Sequence, residues 1–328
     1  MYPVWPVVDV NKLIKQLQEP NRNQDIYVLA TSLCAATMAQ LHFSPAEDSY
    51  TSFTSEDMER ECTRARLACD YREQPNLSHV LVSFFLHVYH AKMDRRNAAL
   101  LYVQEALSLA RVLKLADTSI CNVEPESLVD KRILYLLLWV SERCVVRFET
   151  WLLDCLLSSL RGYAIQHALP ISSNNTISVP SLELYEGNIY AQGLVNLATL
   201  FVAFDSSCVP RFSRYGKFPL SSEQLMAVEK TLVDTPLPSP RFDIVQRLDF
   251  FVTKQWMRIL LWQQAMSRGL LSSSSYAKSM TFLFPAQIAS DLLEWMVLIS
   301  TENLMPLGRD QVKTVVFIFK LKLTYSSW

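Results

Sequence analysis

Leu77, Val80, Leu81, Phe84, Phe85 and Val88 recur at i, i+3, i+4, i+7, i+8 and i+11. Residues at that spacing line one side of an α-helix, whereas on a strand they would scatter over both faces. The segment therefore predicts a helix with a single buried apolar stripe, and such a helix needs neighbours to cover it. The rest of the chain supplies candidates. Asp9 to Leu17 reads as a short helix capped by Asp9, and Asp25 to Phe43 as a second, alanine-bearing and proline-free. Thr54 with Asp57 three residues on forms a capping box, with Phe53 stapling onto Met58, so a third helix runs to about Arg72 and Pro75 closes it. Further helical patterns cover Arg95 to Leu115 and Glu126 to about Glu142, the latter opened by Pro125.

Between Pro170 and Pro180 the residues Ser172, Ser173, Asn174 and Asn175 mark a surface loop, and helices resume near Gly187. Ser221 with Gln224 is another capping box, with Leu220 and Leu225 as its staple. The segment Leu237 to Pro240 breaks the chain before a long helix from about Asp243 to Leu271, and Ser272 to Ser275 reads as a flexible turn. Glycine occurs only 6 times in 328 residues, against both glycine-rich phosphate loops and turn-dense sheets. The expected fold is all-α, an irregular arrangement of packed antiparallel helices. One segment departs from it: Val315 to Tyr325 alternates Phe319, Leu321, Leu323 and Tyr325 with Lys320, Lys322 and Thr324, which predicts a strand.

Lysine and arginine number 31 against 32 aspartates and glutamates, so the chain as a whole has no field to draw it onto nucleic acid or an anionic membrane. The most apolar span, Ile133 to Leu160, carries Glu142, Arg143, Arg147, Glu149 and Asp154, too many charges to cross a bilayer. No secretory leader opens the sequence, since Pro3, Pro6 and Asp9 interrupt its start. The seven cysteines are odd in number and scattered, which fits free thiols in a reducing compartment.

Catalytic signatures are absent: there is no nucleophile elbow, P-loop or His-Glu-x-x-His motif. Asn175 and Ser178 begin something like a magnesium-diphosphate motif, but Leu182 stands where an acidic residue is required. His87 and His90, with His79 on the same helix, have no cysteine or carboxylate at ligand spacing to complete a metal site. Cys62 and Cys69 have the spacing of one pair in a zinc cluster, yet both fall on a predicted helix. Arg64 with Arg66 and Arg95 with Arg96 read as solvated helix faces, flanked as they are by acidic residues. Trp139, Trp256 and Trp262 read as core, with an effector pocket between helices as the alternative. No catalytic, cofactor-binding or metal-ligating residue is assigned.

Several stretches, in order, resemble the regulatory (middle homology) region of fungal binuclear zinc-cluster transcription factors. They are Tyr2 to Val10, Leu29 to Gln40, Ser83 to Lys92, Ala98 to Leu115, Tyr135 to Arg143, Gly162 to Pro170 and Val252 to Leu271. The likeness spans residues 1–305, is nearest to the starch, maltose and xylan regulator type, and leaves 306–328 as an atypical tail. It implies a nuclear, non-enzymatic regulator of transcription, of carbohydrate-utilisation genes in particular, acting through a small effector, coregulators or pairing with family members. It implies zinc and DNA contact only through an N-terminal module of six clustered cysteines, which the 328 residues do not contain. Cys144 to Arg161 interrupts the family pattern and reads as an insertion; it and Val315 to Tyr325 are read as translated intron sequence. The alternative from another class is an all-α metabolic enzyme binding an isoprenoid or sugar-derived ligand, which predicts magnesium-dependent turnover.

Overall fold

The computed structural model describes residues 3–20, 23–43, 53–117, 129–157, 179–212, 221–297 and 299–325, with backbone alone in 145–157, 205–212, 301–302, 305, 308–310, 312–313 and 322–325. Among them every regular element is helical, as the sequence predicts. The chain divides into two compact units, residues 1–149 with 168–173, and 150–167 with 174–328.

The first unit is built on α1 (Val10–Gln18), α2 (Gln24–Leu41), α3 (Ser55–Arg66), α4 (Leu77–Lys92), α5 (Arg96–Val112) and the opening of α6 (Lys131–Leu157). Helix starts follow the caps expected of them. Asp9 accepts from the amides of Asn11 and Lys12, and the Thr54–Asp57 capping box is complete in both directions. The staple is not: Met58 packs against Ala35, Ala39 and Tyr89, while Phe53 stays exposed.

α4 is the hub, lying between α2 and α5 while α2 also packs on α3. Its burial is not the single stripe expected. Val82, Ser83, Leu86 and Tyr89 are as buried as Val80, Leu81, Phe84 and Phe85, whereas Leu77 and Val88 are only half-buried. Neighbours surround the helix, and Trp5 from the N-terminal segment adds a further cover, its ring centroid 6.3 Å from Phe84 and 5.8 Å from Phe85.

Three boundaries differ from expectation. α3 ends at Arg66, six residues before Arg72, because the chain must turn there for Tyr71 to come beneath the Arg66 guanidinium. α6 begins at Lys131, where the Asp130 carboxylate accepts from the amides of Arg132 and Ile133; the expected start at Pro125 and Glu126 lies outside the described residues. α6 then continues past Glu142 through the segment 144–157 as unbroken helix.

The second unit comprises α7 (Ile189–Phe212), α8 (Ser222–Asp234), α9 (Ile244–Ser267), α10 (Phe284–Val297), the short α11 (Thr301–Leu304) and α12 (Gly308–Tyr325). α9 is its hub and packs against α7, α8, α10 and α12. The Ser221–Gln224 capping box forms; its companion Leu220 lies outside the described residues. The strand expected at Val315 to Tyr325 is instead the second half of α12. Gln311, Val315, Ile318 and Leu321 recur at helical spacing and turn inward, Val315 and Ile318 joining Leu248, Val252, Ile288 and Leu292 in one core. The period-two run occupies only the end of that pattern, and the surface offered by α9 and α10 selects the helical period.

Four helices close through a left-handed residue whose successor's amide reaches back a full turn. One of these is Gly269 (φ 66°); the others are His42 (φ 51°), Asp94 (φ 59°) and Lys114 (φ 53°). A glycine-poor chain thus accepts about 1 kcal/mol of strain at each non-glycine position.

Candidate functional site

The polar residues buried inside each unit tie helix to helix. In the first unit Arg66 is 5% exposed at the C-terminal end of α3. Its Nη1 donates to Glu105 Oε2 on α5 at 2.9 Å and its Nη2 to Ser83 Oγ on α4 at 2.6 Å. Ser83 Oγ lies 2.8 Å from the same carboxylate oxygen, and the Tyr71 hydroxyl donates to the other at 3.0 Å. The Tyr71 ring completes the cage, its centroid 3.9 Å from the Arg66 guanidinium carbon. Burial pushes the Tyr71 phenol upward, so it stays a donor to Glu105 at neutral pH. Of the basic pairs read as solvated, Arg66 is therefore a correction. Arg64, 70% exposed and forked onto Glu61, and the half-exposed Arg95 and Arg96 fit the solvated reading.

The three histidines of α4 have different partners: His79 meets α2, His87 meets α5, and His90 lies between α5 and α3. The His79 Nε2 lies 2.9 Å from Asp25 Oδ1 on α2, while its Nδ1 accepts from the Asn76 amide, an arrangement that places the ring hydrogen on Nε2. Asn76 Nδ2 donates to the other Asp25 oxygen at 2.6 Å. The His87 Nδ1 donates to the Ala99 carbonyl of α5 at 2.9 Å, and burial holds this imidazole neutral by lowering its pKa to about 4. His90 stacks on Tyr102 of α5, centroids 5.2 Å apart, with Nε2 3.7 Å from Glu59 on α3. Burial lowers its pKa and Glu59 opposes that.

Among the described residues no group of three His, Cys, Asp or Glu is placed to hold a metal. Cys62 is buried and near the Val28 carbonyl at 3.7 Å, its thiol pushed up to about 12 by burial, far from the thiolate a metal needs. Cys69 lies beyond the end of α3, not on it. Asn175 and Ser178 fall outside the described residues; Leu182 opens a 3₁₀ turn.

In the second unit Lys254 of α9 donates to the carbonyls of Val233 and Thr235 at the end of α8, at 3.0 and 2.7 Å. Arg258, one turn on, donates to Glu229 of α8 at 2.9 Å and to Gln255 at 2.8 Å, and lies 3.7 Å from Asp291 on α10. Gln246 Nε2 donates to the Tyr190 carbonyl of α7 at 2.7 Å. Gln311 of α12 donates to Asp249 Oδ1 at 2.7 Å and lies 2.9 Å from Thr253 Oγ1. Burial raises Asp249 to about 6, its two neutral partners pulling the other way. Trp256 and Trp262 are buried in this unit and Trp139 in the first, where the Arg143 guanidinium sits 3.5 Å over its ring.

α2, α3 and α5 are thus keyed to α4, and α7, α8, α10 and α12 to α9, each by at least one directional polar contact on top of apolar packing. Such contacts set axial register, because a slide of one turn leaves buried donors and acceptors unmatched at a cost of about 1–3 kcal/mol each. The sequence flags part of this, since Ser83 and His87 interrupt an apolar segment. Glu105, Tyr71, Glu229, Asp249 and Gln311 carry no local signal; their partners lie on other helices.

No family model matches the chain, and no solved structure matches it. It is similar to a probable sucrose utilization protein of Candida albicans, 24% identical over 301 residues, covering 89% of this chain and 55% of that protein. It is also similar to a maltose fermentation regulatory protein of Saccharomyces cerevisiae, 22% identical over 301 residues, covering 89% of this chain and 58% of that protein. The chain therefore spans a little over half the length of these relatives.

Proposed function

We propose that the chain is the regulatory region of a fungal transcription regulator of sugar utilisation. The observation that carries this reading is similarity running through 89% of the chain to proteins named for sucrose utilization and maltose fermentation regulation. The helical fold supports it: two hub-centred bundles keyed by buried polar contacts have a small number of discrete helix registers available, and a switch needs discrete states. In this reading a small effector or a coregulator binds one register better than another and so biases an activation function. The protein works in the nucleus, reaches DNA through a zinc-binding module outside these 328 residues, and performs no catalysis itself.

The test is a fusion of residues 1–328 to an unrelated DNA-binding module, expressed in a yeast host carrying the matching reporter. Reporter output that changes with maltose or sucrose in the medium, relative to a neutral carbon source, is the expected result. A stably expressed fusion whose output is the same on every carbon source, and the same as the DNA-binding module alone, would overturn the proposal.

A further inference from the structure

The segment joining α9 to α10 is a surface loop with a closed neck. α9 ends at Ser267 and the chain turns away at the left-handed Gly269, the Ser272 amide donates to the Met280 carbonyl at 2.9 Å, and Trp262 Nε1 donates to the Thr281 carbonyl at 2.9 Å from inside the core. Met280 and Ser279 are buried at its base, whereas Ser272, Ser273 and Ser274 are exposed and Tyr276 is fully exposed at the tip. The neck is fixed to the core and the tip stands clear of it, the presentation that an enzyme modifying a side chain requires.

The four serines are not equivalent. The Ser272 hydroxyl accepts from the Ser274 amide and pairs with the Ser274 hydroxyl, and the Ser275 hydroxyl accepts from the Ala277 amide. Ser273 alone has a hydroxyl engaged in no intramolecular bond. Its electrostatic setting is also distinctive. From Asp249 to Asp291 the sequence contains no acidic residue, and Arg268 and Lys278 stand five positions to either side of Ser273.

From this geometry we infer that Ser273 is a phosphorylation site for a serine kinase that reads basic flanks. The Ser273 Oγ attacks the γ-phosphorus of ATP; the new O–P bond forms as the bond to the departing ADP breaks, and the hydroxyl proton passes to the kinase's catalytic carboxylate. The phosphate carries a charge of about −1.5 to −2 at neutral pH and adds it to a loop whose own sequence holds no acidic residue. The fixed neck confines that change to the surface, so the second unit keeps its fold while the loop it shows to a partner becomes more negative.

Trypsin cuts after Arg268 and Lys278, releasing residues 269–278 as one peptide that holds all four serines and Tyr276. The full-length protein is isolated from its own cells with phosphatase inhibitors, digested, and this peptide is sequenced by fragmentation mass spectrometry. The expected result is a form heavier by one phosphoryl group located on Ser273, which disappears after phosphatase treatment and is absent from a Ser273→Ala variant but retained in Ser274→Ala. Full recovery of the peptide with no phosphorylated form would overturn the inference. So would phosphate confined to Ser272, Ser274, Ser275 or Tyr276, or a hexose in its place.

Discussion

Replacing Arg66 by methionine removes the cation on which three helices converge. At 2.9 Å from Glu105 and an effective dielectric near 20, the pair attracts by roughly 6 kcal/mol before desolvation is subtracted. The side chains are 6% and 24% exposed, so Arg66 depends on its partner more than Glu105 does, because water reaches the carboxylate. The expected loss is about 3 kcal/mol for Arg66→Met and about 4–5 kcal/mol for Glu105→Leu, which strands the more deeply buried charge. The double variant should lose at least about 2 kcal/mol less than the sum of the two, since neither charge is then left without the other. The assay is peptide-resolved hydrogen exchange across α3, α4 and α5, because the two units need not unfold together and a single melting curve would blend them. Single-variant losses that add to within about 0.5 kcal/mol would refute the reasoning, showing that Ser83 and Tyr71 hold the site without the ion pair.

Gly193→Ala should destabilise the second unit by about 1–3 kcal/mol in hydrogen exchange of α7 and α9 peptides, because a Cβ there would overlap the Gln246 amide and displace it from the Tyr190 carbonyl. Lys114→Gly should raise the stability of the first unit by about 1 kcal/mol, read from hydrogen exchange of α4 and α5 peptides, as glycine relieves the left-handed backbone at φ 53°. Asp249 and His87 give the units opposite responses to acid. Asp249 is raised to about 6 from an ordinary value of 3.8, so the cost of its buried charge is fully present above pH 6 and relieved as pH falls toward 4. Asp249→Asn should therefore stabilise the second unit by about 1 kcal/mol at pH 7, the size limited by the residue's partial exposure, and change little near pH 4. His87, lowered to about 4 from 6.5, contributes stability that is whole above pH 6.5 and lost as pH falls through 4, so first-unit exchange protection should drop over that window.

Helix identity was legible in the sequence because it is local: caps at Asp9, Thr54 and Ser221 and the spacing of Val80 to Phe85 are read within a few residues. The failures are places where a distant part of the chain decides. Lys320 to Tyr325 alternates like a strand, and only the face built by α9 and α10, some thirty to seventy residues earlier, makes Val315 and Ile318 the residues that count. α3 ends early for the sake of Tyr71, whose partner Glu105 is 34 residues further on. Arg66 looks like any helix-surface arginine until Ser83 and Glu105 are placed around it. Kinship with sugar-utilisation regulators was legible as an order of motifs spread along most of the chain, each of them modest alone.

The place of α12 at the core of its unit sets a schedule for synthesis on the ribosome. α1 to α5 and the opening of α6 are complete once Glu149 has been made, so the first bundle can close while translation continues. α9 and α10 emerge with an apolar side that waits for Val315 and Ile318 of α12, and α12 is finished roughly 180 residues after Glu149. At about 5–20 residues per second that is a wait of roughly ten to thirty seconds. During it the nascent second bundle shows greasy surface to the cytosol, which makes its yield, and not that of the first, the one that a holdase chaperone controls.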